Sequence, residues 1–540
     1  MKTTNIIQRL SLFLLALVLT MPTWAQGNNG MEVVSISSAA DWKTFCQRVN
    51  DNGEPFLNAK LTQDVDLGGE IVMLGSVSYP YSGTFDGNGH TLKFNWNAGK
   101  DNQIAPFYYV ENATIKNLRT QGKITTKGYG LSGMVYIALG TTTITGCISD
   151  VDITGGNGGW DDSKAAGMVQ AVADGASVHI TDCLVKGSIT DNADESERYM
   201  AGFVLSNNGT YTLTRCLYVG KNNATNDKYS KTFGKDGYGA TFTDCYYLNT
   251  CGKVQGEQVT AERLKSGEMA KLLQGDRTDS CHWAQVLGEW PGLYREADKA
   301  KPNYVYYNKE NNGWTCDDFR LTDGQSLPIG LDFTAANVTY ERKFNGAQKA
   351  TLCLPYDLSA QGFKAYTLSG GNKNEVHFKE VDDKLTAYTP YYITANGMPQ
   401  LGGRNIEVKA YKADKMTTLA AGYKFTGTVA GVSNATAAAA NAYILQDDGK
   451  FHKVTTTNSA ATIPAYRAYI ICPPQASGAK QLSVIIDDET TGIGDVPDGT
   501  TDSAVYDLQG RRMADQLDDN ARRWLPAGVY IVNGRKVILK

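Results

Sequence analysis

At 540 residues the chain is too long for one ordinary core, and roughly two to four domains are expected. Its 56 glycines and 30 tyrosines, the latter outnumbering 16 Phe and 8 Trp together, lean towards β-structure. Charged residues make up 20% and the formal net charge is −4, which excludes a highly charged disordered chain and a polytopic membrane protein. It also leaves no electrostatic case for nucleic acid as a partner.

The chain opens on MKTTNIIQRL, with Lys2 and Arg9, followed by SLFLLALVLTM and then PTWA, which places Thr23 and Ala25 at a small-residue cleavage site. This pattern predicts a secretory signal peptide over residues 1–25, cut before Gln26. A membrane anchor is the competing reading, but the apolar run falls short of the ~20 residues needed to span a bilayer. The mature chain is therefore expected to be exported, without a transmembrane segment.

Export would permit disulfides, yet the ten cysteines do not read as a disulfide framework. Cys147, Cys183, Cys216 and Cys245 each end one phrase, ITGC, ITDC, LTRC or FTDC, and an earlier copy, IKNL, has Leu118 in that place. Exchange of Cys with Leu indicates a buried apolar position, so a ladder of structural thiols is expected. Cys245–Cys251 and Cys251–Cys281 are the bridges left open. The five histidines are scattered singly and no CxxC pair occurs, so no metal site is predicted.

The phrase recurs at intervals of 29, 36, 33 and 29 residues, and a second one, LSGMV, AAGMV and MAGFV around Gly133, Gly167 and Gly202, marches with it. Each period reads as a Gly-centred strand, the I-T-x-C strand and a third strand such as DVDIT or KGSIT. Helical spacing is missing, so the repeats predict an all-β parallel β-helix, a solenoid with about 4.8 Å between stacked equivalent residues. Helical caps are expected at its ends. Residues 39–49 place Trp42, Phe45 and Val49 on one face. In VTAERLKSGEMAKLLQG, Thr260 reads as an N-cap and Leu264, Leu272 and Leu273 as an apolar stripe.

Together LNAKLTQDVDLGG, YSGTFDGNGHTLKF, IKNLRTQGKI, SGMV…ITGCISDVDITG and AGMV…ITDCLVKGSIT resemble the GLUG-repeat β-helix region of Bacteroidetes surface proteins. The following VTAERLKSGEMAKLLQG…HWAQVLGEWPGLY is similar to the segment that closes that region in the same proteins. The likeness spans roughly residues 33–295 and departs from the family where SGMV and AGMV stand for a fuller GGLVG.

Beyond residue 297 the repeat stops and short alternating runs follow, such as NVTYERKF, ATLCLPY, AYTPYYITA and AYRAYIICP. They predict one or two β-sandwich modules over 298–488, after a β-helix region over 26–297. The string from LTDGQSLPIGLDFTAANVTYERKF to YRAYI also looks like a module that often follows such β-helices, a likeness that implies no biochemical role. Residues 489–503 read as a polar linker. The last segment, 504–540, carries AVYDLQGRRM and LPAGVYIVNGRKVILK and reads as hairpin strands. It resembles the C-terminal sorting domain of proteins exported by the type IX secretion system. The matching positions are Tyr506, Asp507, Gly510, Arg511, Leu525, Pro526, Gly528, Tyr530 and the stretch ending at Lys540. The resemblance implies secretion and surface-attachment machinery as partners, and a location that is extracellular or on the outer membrane.

Chemistry is sparsely signalled. Asp150 and Asp152 in ISDVDI share one strand face, as a pair of glycosidase carboxylates would. The same pattern at Asp64 and Asp66 suits solvated outward positions. No HExxH, GxSxG or pectin-hydrolase phrase is present, and FDGNGH (85–90) reads as a β-turn rather than a calcium loop. No catalytic residue or cofactor is assigned; calcium bridging is considered without a supporting motif.

The candidate ligand-binding residues are Trp160, Asp161 and Asp162 in GGNGGWDDSK, with Asp191, Asp194 and Glu195 in TDNADESERY one period later. An aromatic beside acids suits sugar rings, while a solvated loop with its Trp packed on its own coil is the plainer reading. These features lead to an exported surface protein, an adhesin binding a glycan or a host or bacterial surface ligand. The alternatives are a secreted carbohydrate-active enzyme on a β-helix and a purely structural envelope protein.

Overall fold

A computed structural model describes residues 32–156, 164–193, 198–236, 239–342, 344, 348–382, 384–395, 397–476, 478–487, 504–532 and 535–539. The chain is all-β, with a few short helices. It divides into two compact units, Met1–Ile485 and Ile486–Lys540.

The repeats of the first unit build parallel sheets. In one, Val33–Ile36, Asn58–Leu61, Thr84–Asp86, Thr114–Lys116, Thr141–Thr145, Ser177–Thr181, Thr210–Thr214 and Thr241–Thr243 pair in chain order, one strand per period. The register aligns Ile115, Ile144, Ile180, Leu213 and Phe242 in a row. A second parallel sheet runs from Val65–Asp66 through Thr91–Asn97, Arg119–Thr125, Ile148–Gly155, Leu184–Val185, Leu217–Tyr218 and Tyr246–Tyr247 to Glu257–Gln258.

Between the two sheets the chain turns at Asn117, Gly146, Asp182, Arg215 and Asp244, the x of I-T-x-C, each with φ between 52° and 61°. Left-handed backbone suits Asn, Asp and Gly and turns the chain from one sheet into the next; Arg215 adopts it as well. The next residue is the cysteine. Pairing of Ile148 with Leu184, Leu184 with Leu217 and Leu217 with Tyr246 stacks Cys147, Cys183, Cys216 and Cys245 in sequence.

All four thiols are buried, and each has two carbonyl acceptors within reach, that of the Thr two residues before it at 3.3–3.5 Å and one a period earlier. Cys147 Sγ reaches Ile115 O at 3.6 Å, Cys183 reaches Ile144 O and Cys216 Ile180 O at 3.7 Å, and Cys245 reaches Leu213 O at 3.5 Å. The position thus combines apolar burial with a weak donor, which Leu118 lacks. All ten cysteines are free thiols, so neither Cys245–Cys251 nor Cys251–Cys281 is bridged. Cys281 Sγ instead donates to Trp283 O and accepts from Tyr307 N–H, both at 3.3 Å.

The expected three strands per period are corrected. Leu131–Ser132, Ala165–Ala166 and Met200–Ala201 form one small sheet, while Val135–Leu139, Val169–Val172 and Val204–Asn207 join Phe107–Glu111 in another. Gly133, Gly167 and Gly202 are the bends between them, not strand centres. A Cβ on Gly167 would lie 2.1 Å from Gly202 O and 2.6 Å from Val185 Cγ1, so the stacked backbones admit no side chain. The DVDIT strand, in turn, continues the one begun after Cys147, as Ile148–Gly155.

The first helix, α1 (Ala39–Asn50), is N-capped by Ser38 and buries Trp42, Phe45 and Val49. Trp42 meets Phe85 and Phe107 edge-on, with centroids 5.8 and 6.1 Å apart. Thr260 caps α2 (Ala261–Lys265), but Gly267 at φ 86° breaks the helix, and α3 follows as Glu268–Gln274. Leu264 and Leu273 are buried; Leu272 faces outward at 38% exposure, which corrects its place in the apolar stripe. The stripe packs on Ile148, Leu184, Leu217 and Tyr246, the outward row beside the thiols. It therefore covers the flank of the second sheet, where exposed apolar side chains had no other cover.

Further along, a six-stranded sheet takes in Gly292–Leu293, Trp283–Val286, Tyr304–Asn308, Gly313–Thr322, Phe333–Glu341 and Gly403–Val408. A ten-stranded sheet runs from Lys349–Leu352 to Thr417–Ala420 by its order of pairing. Phe319, Phe333, Leu352, Tyr356, Ile393 and Tyr466, drawn from this whole region, share one core. The second unit has a four-stranded antiparallel sheet of Arg512–Ala514, Val505–Tyr506, Gly528–Val532 and Arg535–Leu539, with Val505, Leu525 and Tyr530 buried.

Candidate functional site

Of the six candidate ligand-binding residues, Trp160, Asp161, Asp162, Asp194 and Glu195 lie outside the described residues. Asp191 is described and fully buried. Its carboxylate accepts from Ala193 N at 2.8 Å and Tyr199 N at 3.2 Å, and its backbone exchanges hydrogen bonds with the Asn223 amide at 3.0 and 2.9 Å. It ties its own loop down and offers no free oxygen at the surface.

The paired carboxylates of ISDVDI do point outward, Asp150 half-buried and Asp152 exposed. Each meets the following period: Asp150 lies 3.5 Å from Lys186 Nζ, and Asp152 accepts from Ser188 N at 2.9 Å and Ser188 Oγ at 2.6 Å. At Asp86 to His90, Asn88 and Gly89 are left-handed and His90 N donates to Gly87 O, the expected β-turn.

A different place gathers functional groups. Asp182, at a left-handed corner, is 4% exposed. It accepts from both ends of the Arg277 guanidinium at 2.7 and 2.9 Å and from Trp283 Nε1 at 2.9 Å. Gln274 fastens the same segment by accepting from His282 N at 2.8 Å and donating to Ser280 O at 2.8 Å. Burial, then the nearby Arg277 charge, pushes the His282 imidazole below its ordinary value and favours its neutral form.

This clamp positions the hairpin of Trp283–Val286 and Gly292–Leu293, and the 3₁₀ turn Glu296–Ala300, over the outer face of the second sheet. Beneath them a cavity of about 590 Å³ runs along the corners at Asn88, Asn117, Gly146 and Asp182. At ordinary strand spacing those four levels span roughly 14 Å. A second cavity of about 430 Å³, bordered by Trp290 and Lys186, shares Arg119, Ile148, Leu293 and Arg295 with the first. The two make one groove.

Trp290 is 38% exposed at its edge, and Tyr294 is half-buried beside Arg295 and Glu296. Burial, with the hydrogen bond that the Tyr294 hydroxyl donates to Glu296, pushes this phenol up to about 12, so it stays a donor. Two aromatic faces, two guanidinium groups and a carboxylate along an open groove can stack on rings and bond their hydroxyls. The string WPGLYRE (290–296) was the available signal, two aromatics and an Arg after a Pro-Gly turn. Among the described residues no cluster of three or more His, Cys, Asp or Glu is placed to hold a metal ion.

In the second unit, Asp507 and Gly510 make one turn. Gly510 has φ 74°, Asp507 Oδ1 accepts from Gln509 N and Arg511 N at 2.9 Å, and Arg511 Nε lies 2.7 Å from Asp507 Oδ2. Tyr506 pairs with Ile531, and the buried Tyr530 donates its hydroxyl to Pro526 O at 2.9 Å, just before Gly528 opens its strand. Lys540 lies outside the described residues. Among the described residues no helix is long and apolar enough to cross a membrane. Comparison with protein-family models, with curated proteins and with solved structures finds no match.

Proposed function

We propose that this chain is an exported cell-surface protein that binds glycans as an adhesin. Residues 33–258 would form its parallel β-helix, the middle region β-sandwich modules, and residues 504–540 a sorting domain of the type IX kind. The observation that carries the binding reading is the groove lined by Trp290, Tyr294, Arg119, Arg295 and Glu296 against the flank of the repeats. The likeness to GLUG-repeat surface proteins of Bacteroidetes supports the location, and the ordered Asp507–Arg511 turn supports reading residues 504–540 as a folded terminal domain.

The partners on this reading are a surface glycan and the secretion and attachment machinery. Two experiments test it. Expressed in a Bacteroidetes host, the full chain should be accessible to a protease added to whole cells, and a chain lacking residues 504–540 should not. Surface exposure of the truncated chain would overturn the sorting role. The purified mature chain should retain immobilised mucin-type glycans without changing their size distribution. Time-dependent shortening that disappears in Asp150→Ala would replace binding with the carbohydrate-active enzyme reading. Retention of no glycan would favour a purely structural envelope protein.

A further inference from the structure

The middle region holds a second concave site, independent of the groove. A cavity of about 720 Å³ lies where the strands Phe333–Glu341, Lys349–Leu352, Ala442–Leu445 and Arg467–Ile471 start or end. Arg342, directly after the first of these, is 7% exposed. Its Nη1 donates to Thr351 O at 2.6 Å and its guanidinium lies 4.9 Å from the Phe344 ring, but its Nε is buried without a partner. Arg467 stands nearby, half-buried. It donates through Nη2 to Asp323 at 2.7 Å, and its Nε is also buried and unpartnered. Among the described residues, Arg342 has no carboxylate of its own.

A guanidinium taken out of water without a counter-charge is costly, and a chain that keeps one is expected to supply an anion to it. Among the described residues the cavity wall carries Arg342, Arg467 and Lys349 against Asp323 and Asp447, an excess of one positive charge. That balance matches a monoanion better than a phosphate dianion. The planar, forked geometry of guanidinium groups matches a carboxylate in particular. The volume far exceeds a bare carboxylate, and the rest of the wall includes Asn458 and Thr462, which suit hydroxyl groups. Burial, then the neighbouring Arg467, pushes the Arg342 guanidinium down to about 10, as an unmet need for an anion would.

We infer that this cavity binds an acidic monosaccharide unit, a uronic acid, with its carboxylate held between Arg342 and Arg467 and its hydroxyls met by the polar wall. This goes beyond the groove reading and does not rest on it.

The mature full chain would be titrated calorimetrically with D-glucuronate, D-glucose and acetate. Glucuronate should bind, glucose should give no signal, and acetate should bind weakly. In Arg467→Gln, whose residue is half-buried, glucuronate affinity should drop about 10- to 100-fold, the range for losing a charge-assisted hydrogen bond. Arg342→Met removes the buried charge; it should keep or raise the melting temperature while losing the thermal shift that glucuronate gives the parent chain. Trp290→Ala should leave glucuronate binding unchanged, which separates this site from the groove. No binding of glucuronate, equal binding of glucose, or unchanged affinity in Arg467→Gln would each overturn the inference. Acetate binding as tight as glucuronate would overturn its saccharide part.

Discussion

Substituting Asp182 by glycine tests the clamp that holds the 261–283 segment on the repeats. Glycine keeps the left-handed corner at φ 52° without strain, as Gly146 does one period earlier, so the change isolates the carboxylate. What is lost is three hydrogen bonds, two from Arg277 at 2.7 and 2.9 Å and one from Trp283 at 2.9 Å, with the looser contacts to Arg215 Nε at 3.5 Å and His282 Nδ1 at 3.8 Å. The Asp182 side chain is 5% exposed and that of Arg277 21%, so most of the pair is dry but the stranded guanidinium regains some water.

Breaking a buried pair by removing one partner costs about 3–5 kcal/mol. The partial exposure of Arg277 places Asp182→Gly near about 3 kcal/mol. Asp244→Gly is the control, since Asp244 occupies the equivalent corner at φ 52° but is exposed, and it should cost less than about 1 kcal/mol. Denaturant unfolding gives both values, and hydrogen exchange should show α2 and α3 losing protection only in Asp182→Gly. A double-mutant cycle with Arg277→Met should show coupling above about 1.5 kcal/mol. A cost for Asp182→Gly no larger than for Asp244→Gly, or an additive cycle, would refute the clamp.

Three further outcomes are expected. Gly167→Ala places a Cβ 2.1 Å from Gly202 O and should destabilise the first unit by about 3 kcal/mol or block folding, whereas Gly175→Ala, with open space around it, should cost only about 1–2 kcal/mol for its positive φ. Burial raises the Cys183 and Cys216 thiols well above their ordinary value, so a thiol reagent should leave them unmodified in the folded chain and count all ten cysteines only in denaturant. His282 is held below 6.5, so the unfolded chain takes up its proton first and stability should fall as pH drops from about 6.5; His282→Gln should flatten that slope.

The stacking of the repeats was legible because one position per period carries it. The Cys row and the Gly row each recur at the interval of a whole turn of chain, and the corner residues Asn117, Gly146, Asp182 and Asp244 are the types that accept left-handed backbone. The split of SGMV into two strands was not legible, since the close backbone approach at its glycine involves the neighbouring period. Nor was the flank cover. No sequence pattern set Ile148, Leu184, Leu217 and Tyr246 apart, and only their packing on Leu264 and Leu273 shows a covered outer face. The clamp joins residues 95 positions apart, beyond any local pattern. Asp191 misled because acids in a polar loop suggest solvent, whereas two backbone N–H groups draw its carboxylate inward. Arg342 gave no signal at all in a stretch that alternates like any strand.

Glycan binding by residues 26–540, with and without the groove's aromatic and cationic groups, tests the central claim most directly. Trp290 and Arg295 border the groove, and neither belongs to the Asp182 clamp. The parent chain should bind a defined set of arrayed glycans, and Trp290→Ala with Arg295→Ala should lose that set while its unfolding midpoint stays unchanged. A parent chain that binds no glycan, or a variant that binds the same set as well, would contradict the account.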